Sequence, residues 1–220
     1  MKDLVIVGAG GFGREVQWLA ERMNGIETAW NLLGYVDDGV ETGSLVDGLP
    51  VLGGCEWLSS RRERTCVAVA IGSSATRKRV VGELAGNPAL DFPALIDPAA
   101  IVSNRVAMGR GCIICAGSIL TVDIEMGDFV IVNLDCTVGH DACLRDFTTL
   151  YPSVNVSGNT ILGETCEMGT GSAVIQGRSI GAGSIIGAGA TVVRDIPAGC
   201  TAVGCPAKPI KFHDGSKNGD

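Results

Sequence analysis

The chain has 220 residues and a mass of 22.6 kDa, and its 46% hydrophobic content with a mean hydropathy of +0.31 excludes wholesale disorder. Charged residues are 19% and aromatic residues 5% of the chain, while glycines number 32, so the composition favours strands and tight corners over helical bundles. The 24 acidic and 17 basic residues give a formal net charge of −7, which argues against nucleic acid or an anionic membrane as a partner.

The start of the chain and its cysteines predict a cytoplasmic protein that does not cross a membrane. The opening MKDLVIVGAGG is a short apolar run broken by glycines, unlike the longer apolar core of an export signal. No stretch approaches the roughly 20 apolar residues that a membrane-spanning helix needs. Nine cysteines, an odd number, favour free thiols in a reducing compartment over a disulfide framework.

The first third of the chain predicts a small parallel α/β domain. The segment LVIVGAGGFGREVQWLAERMN is an apolar strand, a glycine turn and an amphipathic helix. LLGYVDD and CVAVAIG predict two further strands, and a helix follows from Ser73 to Leu84 with SSATRKR at its start. Prolines between residues 87 and 98 place the domain boundary near residue 95.

A glycine-rich turn in this domain predicts a site for a phosphate group. Gly8, Gly10 and Gly13 form GxGxxG between a strand and a helix, where backbone N–H groups can bind an anion. Asp37 and Asp38 end the next strand and can accept hydrogen bonds from a ribose or a base. A domain of about 95 residues lacks the second half of a full NAD site. A nucleotide-linked sugar is therefore favoured over NAD, with purely structural glycines as the remaining interpretation.

A repeat of six residues decides the architecture of the second half. From Val102 to Val192, sixteen consecutive positions spaced by six are aliphatic or Met, and the residue four places later is usually small. This period fits neither a helix nor a flat strand, but it suits coils of three short strands, with 18 residues in each coil. Coils stacked at ~4.8 Å form a parallel β-helix with an aliphatic interior, and about five fit between residues 102 and 192.

Histidine supplies the candidate for chemistry in this β-helix. His213 falls in the polar tail, so His140 is the candidate imidazole in the body of the chain, and two histidines cannot supply a three-histidine zinc site. We therefore expect no metal. Gly158 lies one coil beyond His140 in the same column, and Asn133 can offer an amide to the same cleft. An exposed or interface histidine without a catalytic role is the alternative.

Together these motifs resemble the NeuD/PglD-type sugar O/N-acyltransferases of the hexapeptide-repeat superfamily. The resemblance covers nearly the whole chain through VIVGAGGFGRE, GYVDD, AIGSSATRKR, VNLDCTVGHDACLRDF, VNVSGNTILG, IGAGATVVRDIP and VGCPAKPIK. It implies a left-handed β-helix, acetyl-CoA as the co-substrate, a nucleotide-linked amino sugar as the acceptor, and a homotrimer with active sites between neighbouring β-helices. The expected domains are a nucleotide-sugar-binding α/β domain (1–95), the β-helix (96–205) and a C-terminal tail (206–220), which we expect to fray after Pro209.

The resemblance also implies roles for individual residues. His140 corresponds to the general base and Asp141 to the residue that raises its basicity, while the Gly158 N–H matches the donor to the thioester oxygen. Asn133 matches an asparagine that positions the base or the acceptor. The expected contacts to the nucleotide sugar are Gly10, Gly11, Phe12, Asp37, Asp38 and Gly72. The expected contacts to CoA are Thr149, Gly158, Thr170, Ala188, Lys208 and Lys211, with Arg194 as a further candidate for its phosphates.

The function expected from this resemblance is acetyl-CoA-dependent N-acetylation. The acetyl group passes directly to the 4-amino group of a nucleotide-linked amino sugar, and no covalent enzyme intermediate forms. Two alternatives stay open: an O-acetyltransferase acting on a sialic acid or another sugar hydroxyl, and a non-catalytic solenoid that binds a nucleotide sugar.

Overall fold

The computed structural model describes residues 1–213, and the expected tail residues 214–220 lie outside this range. The chain divides into two compact units after Pro98. Within residues 1–213, no helix is both long enough and apolar enough to cross a membrane.

The first unit is a six-stranded sheet with three helices. The sheet order is β3-β4-β2-β1-β5-β6, parallel except for the β3–β4 pair. Its strands are β1 (Lys2–Val7), β2 (Trp30–Val36), β3 (Leu45–Val46), β4 (Leu49–Gly53), β5 (Thr65–Val69) and β6 (Leu90–Asp91). Its helices are α1 (Gly11–Ile26), α2 (Cys55–Ser59) and α3 (Ser74–Leu84), and the short strand β7 (Leu95–Ile96) ends the unit.

The burial of β1 and the N-terminal cap of α3 agree with the sequence patterns that predicted these elements. Strand β1 lies between β2 and β5 and is buried from Leu4 to Val7, as expected of a central parallel strand. Helix α3 begins after Ser73, whose hydroxyl accepts a hydrogen bond from the Thr76 N–H. The β3–β4 hairpin was not predicted, and its two strands of two and five residues are joined by Asp47 and Gly48 at φ of 44° and 82°.

The second unit is a parallel β-helix with three sheets. The first sheet contains β8 (Ile101–Val102), β11 (Ile119–Leu120), β14 (Thr137–Val138), β17 (Asn155–Val156), β20 (Ala173–Val174) and β23 (Thr191–Val192). The second contains β9 (Val106–Met108), β12 (Ile124–Met126), β15 (Cys143–Leu144), β18 (Ile161–Leu162) and β21 (Ser179–Ile180). The third includes β10 (Ile113–Ile114), β13 (Ile131–Val132), β16 (Thr149–Leu150), β19 (Glu167–Met168), β22 (Ile185–Ile186), β24 (Cys200–Val203) and β25 (Lys208–Phe212).

The six-residue repeat produces the interior of this β-helix. Strands pair with a register offset of one coil, as in Thr137 with Asn155, which confirms the 18-residue coil. Every repeat position from Ile114 to Val192 is buried, while the first two positions are partly exposed at the start of the solenoid. Many corners contain a residue with φ near +60°, including Asp141 at 58°. This backbone region favours glycine, asparagine and aspartate, which are frequent at these corners.

The beginning of the expected tail is ordered, so the prediction that the chain frays after Pro209 is wrong up to residue 213. Strand β25 pairs antiparallel with β24, with Thr201 opposite Lys211. The Thr201 Oγ1 and His213 Nε2 atoms are 3.0 Å apart, which extends the contact by one residue. An uncovered last strand would expose unpaired backbone groups, and β25 satisfies them.

Candidate active site

His140 and Asp141 form a hydrogen-bonded pair at a corner of the β-helix. They follow β14, and the Asp141 Oδ2 atom lies 2.7 Å from the His140 Nδ1 atom. Side chains of adjacent residues in a strand point to opposite sides. Here the left-handed backbone of Asp141, at φ 58°, turns its carboxylate back towards the imidazole. Both side chains are about half exposed, at 51% and 53%, so the pair is open to a ligand.

The imidazole of His140 lies directly over Gly158 on the next coil. A Cβ atom placed on Gly158 would be 2.6 Å from both Cε1 and Nε2 of His140, so the glycine provides the space that the ring occupies. The Asn159 N–H donates to the His140 carbonyl at 2.8 Å, which fixes the two coils against each other. Within residues 1–213, the buried N–H of Gly158 makes no hydrogen bond.

This geometry combines two groups that acyl transfer requires. With Nδ1–H donating to Asp141, the Nε2 atom of His140 is left without a proton and can accept one from a nucleophile. The unused N–H of Gly158, the residue over which the ring lies, can donate to an oxygen that gains negative charge.

Asn133 does not meet His140 within one chain, so one copy alone does not form the cleft in which both residues are expected. Asn133 follows β13 in the third sheet, whereas His140 follows β14 in the first sheet. The Asn133 Oδ1 atom accepts a hydrogen bond from the Leu134 N–H at 2.7 Å, and its side chain is largely buried. The two residues therefore occupy successive corners of the prism, separated by one face.

The glycine turn of the first unit is held by Asp37. Its Oδ2 atom accepts from the Ala9 N–H and its Oδ1 atom from the Gly39 N–H, both at 2.8 Å. The turn itself depends on a close approach, because a Cβ atom on Gly13 would overlap the carbonyl oxygen of Gly8. Asp37 therefore stabilises the turn through these two hydrogen bonds, in addition to any contact with a ligand.

The other residues expected at the acceptor site surround this turn. Gly10 and Gly11 are exposed at the start of α1, and Phe12 is partly exposed. Asp38 accepts a hydrogen bond from the Cys55 N–H at 2.7 Å, where α2 begins. Gly72 follows β5, and its carbonyl accepts from Arg77 at 3.0 Å. Because β1, β2 and β5 are parallel neighbours, these loops lie at the same edge of the sheet, as expected of a nucleotide site.

The residues expected to contact CoA differ in accessibility. Thr170 and Ala188 are exposed and lie one coil apart, and the Gly189 N–H donates to the Thr170 carbonyl at 2.9 Å. Lys208 and Lys211 are exposed on β25. Thr149 is only 1% exposed, so its side chain is not on the surface of the coil.

Two further observations concern a cavity in the first unit and the search for a metal site. A cavity of about 720 Å³ opens at the opposite, amino-terminal edge of the sheet in the first unit, next to Lys2, Arg64 and Asp91. Among residues 1–213, no group of three or more His, Cys, Asp or Glu side chains is arranged to hold a metal ion.

Comparison with known proteins identifies the family. The family model of the PglD N-terminal domain matches residues 3–84. GDP-perosamine N-acetyltransferase from Escherichia coli is 30% identical over 212 residues, which cover 94% of this chain and 95% of the relative. The chain belongs to the NeuD/PglD-type sugar acyltransferases.

Solved structures of acetyltransferases match nearly the whole length of this chain. PerB from Caulobacter crescentus, in complex with CoA and GDP-perosamine, is 32% identical with a TM-score of 0.87, covering 96% of this chain and 98% of that chain. The acetyltransferase domain of PglB from Neisseria gonorrhoeae, in complex with acetyl coenzyme A, is 35% identical with a TM-score of 0.84, covering 95% and 99%. The β-helix of this acyltransferase is therefore left-handed, as the resemblance implied.

Proposed function

We propose that this acyltransferase moves an acetyl group from acetyl-CoA to the 4-amino group of a nucleotide-linked amino sugar, with His140 as the general base. The observation that carries the proposal is the 2.7 Å contact between His140 and Asp141, with the imidazole directly over Gly158. Relatives with bound CoA and GDP-perosamine support the two substrate classes. Nine free cysteines fit the reducing cytoplasm expected from the sequence.

The proposed reaction is a direct transfer. The Nε2 atom of His140 takes a proton from the acceptor amine as the nitrogen attacks the thioester carbonyl, and the carbonyl oxygen accepts a hydrogen bond from the Gly158 N–H. As the tetrahedral intermediate collapses, the C–S bond breaks, the amide remains on the sugar, and the CoA thiolate leaves and takes up the proton. Asp141 holds the imidazole in the tautomer that this step requires.

The same geometry supports a position for the acceptor and an assembly of several copies. We place the phosphates of the nucleotide sugar at the exposed N–H groups of Gly10 and Gly11, at the start of α1. Asn133 and His140 occupy successive corners of one prism, so they can share a site only if each comes from a different copy of the chain. We therefore propose a homotrimer whose sites lie between neighbouring β-helices.

The function is tested with paired acceptors. The purified protein is incubated with acetyl-CoA and with GDP-, UDP- and dTDP-linked 4-amino sugars, beginning with GDP-perosamine, each beside its 4-hydroxyl counterpart. We expect mass spectrometry to find one added acetyl group on an amine acceptor and none on its hydroxyl counterpart. Acetylation of hydroxyl acceptors alone would show an O-acetyltransferase, and failure to bind acetyl-CoA would favour a non-catalytic solenoid.

The shared site is tested by mixing two inactive variants. Asn133→Ala and His140→Ala copies are unfolded together and refolded, so that mixed trimers form. If each site takes one residue from each of two copies, random mixing restores about a quarter of the sites. Mixtures that stay as inactive as the separate variants, despite forming trimers, would contradict a site built by two copies.

A further inference from the structure

One interior position of the β-helix carries a residue that its repeat does not accommodate. Fifteen positions spaced by six, from Cys112 to Ile196, lie next to a corner, where the repeat normally buries the side chain. Fourteen of them are at most 5% exposed and carry small or aliphatic side chains. The remaining position is Arg178, which is long, charged and partly exposed.

The surrounding structure gives Arg178 no partner that would stabilise its charge. Its Nε atom is buried without a hydrogen-bond partner, and no carboxylate in residues 1–213 forms an ion pair with its guanidinium. A buried donor without a partner is costly, and an aliphatic residue would fill the same position without that cost. Folding alone therefore does not account for an arginine at this position.

Arg178 lies beside the candidate active site. The Gly177 N–H donates to the Gly158 carbonyl at 3.0 Å, and the Arg178 carbonyl accepts from the Ile161 N–H at 3.0 Å. Arg178 thus lies in the coil that follows Gly158, at the corner where Gly158 is one coil earlier and His140 two coils earlier. It is one coil, ~4.8 Å along the prism, from the N–H group assigned to the thioester oxygen.

A thioester bound at Gly158 has the pantetheine arm of its donor attached at the sulfur atom, and Arg178 lies on the next coil from Gly158. We propose that Arg178 binds the pantetheine arm of the acyl donor by donating to an amide carbonyl of that arm, an inference that rests on the proposed function. A guanidinium carries five N–H donors and no acceptor, which suits a carbonyl oxygen. The diphosphate of CoA is at the far end of the arm, so a residue one coil from the thioester meets the arm first.

Arg178→Leu tests this assignment, since leucine fits an apolar interior position. We expect the KM for acetyl-CoA to rise about 10- to 100-fold, the range for loss of a hydrogen bond from a charged donor. The KM for the sugar acceptor should stay at the wild-type value, and the Tm should stay at or above its wild-type value. Arg145→Leu is the matched control, because Arg145 is exposed at a different corner, after β15, and its replacement should leave the KM unchanged.

A shortened donor separates contact with the arm from contact with the phosphates. With acetyl-pantetheine, which has the arm but no phosphate, Arg178→Leu should show the same relative loss as with acetyl-CoA, and Arg178→Lys should recover part of it. A loss confined to acetyl-CoA, an unchanged KM, or a loss that follows a fall in Tm would each overturn the assignment. Absence of transfer and of acetyl-CoA binding in the wild type would instead contradict the proposed function.

Discussion

Replacing Gly158 with alanine tests whether the position of the imidazole governs the rate. The new Cβ atom would lie 2.6 Å from Cε1 and Nε2 of His140, against the ~3.5 to 4.0 Å of an ordinary carbon contact. The ring must therefore move by about 1 Å or more, and a displacement of this size can lower a rate by about 10²-fold. The total loss should not exceed the contribution of a positioned base, about 10²- to 10⁴-fold.

The same substitution should leave the fold nearly unchanged. The atoms that the new methyl group meets belong to a half-exposed side chain that can rotate away, and the backbone of Gly158 is not in the left-handed region. We expect the free energy of unfolding to change by about 1 kcal/mol or less, because the three atoms nearest to the new methyl group all belong to the His140 side chain. Urea unfolding measures this change, and steady-state kinetics with a saturating acceptor measures kcat.

A second background shows whether the methyl group acts through His140. In His140→Ala the ring is absent, so adding Gly158→Ala should cost little further activity, whereas two independent effects would multiply. Gly82→Ala serves as a control, because a Cβ atom there meets open space on α3. A Gly158→Ala variant with the wild-type kcat, or one whose loss multiplies with that of His140→Ala, would refute this reasoning.

Four further outcomes are expected. Asp141→Asn should lower kcat about 10-fold or more and leave Tm unchanged, because asparagine tolerates φ 58° but carries no charge to stabilise the imidazolium; an unchanged kcat would remove Asp141 from the mechanism. Gly13→Ala should lower the free energy of unfolding by about 1 to 3 kcal/mol in urea, since its Cβ overlaps the Gly8 carbonyl, and an unchanged midpoint would contradict that packing. Burial, with smaller contributions from Asp47 and Glu21, raises the pKa of Tyr35 to about 12. The neutral form that the fold favours is present below pH ~10, so the free energy of unfolding should fall as the pH rises from there towards 12. Tyr35→Phe should flatten this fall in unfolding measurements. Thiol labelling should modify the exposed Cys205 first, and Cys205→Ser should remove this fast phase. Cys166 should be labelled slowly, because burial raises the pKa of its thiol.

Much of the fold could be predicted because its repeat is encoded locally. A six-residue period repeats the same interior positions at each step, so the solenoid and its 18-residue coil follow from the sequence. The β3–β4 hairpin has a strand of two residues, too short to produce a periodic signal. Strand β25, with the sequence KPIKF, contains a proline and two lysines, and it forms because the last coil needs a partner, which is a requirement of the tertiary structure.

The candidate site could also be predicted from the sequence only in part. The position of His140 one coil before Gly158 follows from counting residues, whereas the contact between His140 and Asp141 depends on a left-handed backbone that the sequence alone does not specify. The separation of Asn133 from His140 by one face follows from the order of strands, which was available in the repeat. Arg178 was overlooked although it interrupts the series of small interior residues, a signal that the sequence contains.

A single-turnover measurement on His140→Ala tests the central claim most directly. The variant is mixed with acetyl-CoA and the preferred amino-sugar acceptor, with calorimetry confirming that both ligands bind as they do to the wild type. If His140 is the general base, transfer should slow about 10²- to 10⁴-fold while both affinities persist. Transfer at the wild-type rate would contradict the role of His140 and the site built around it.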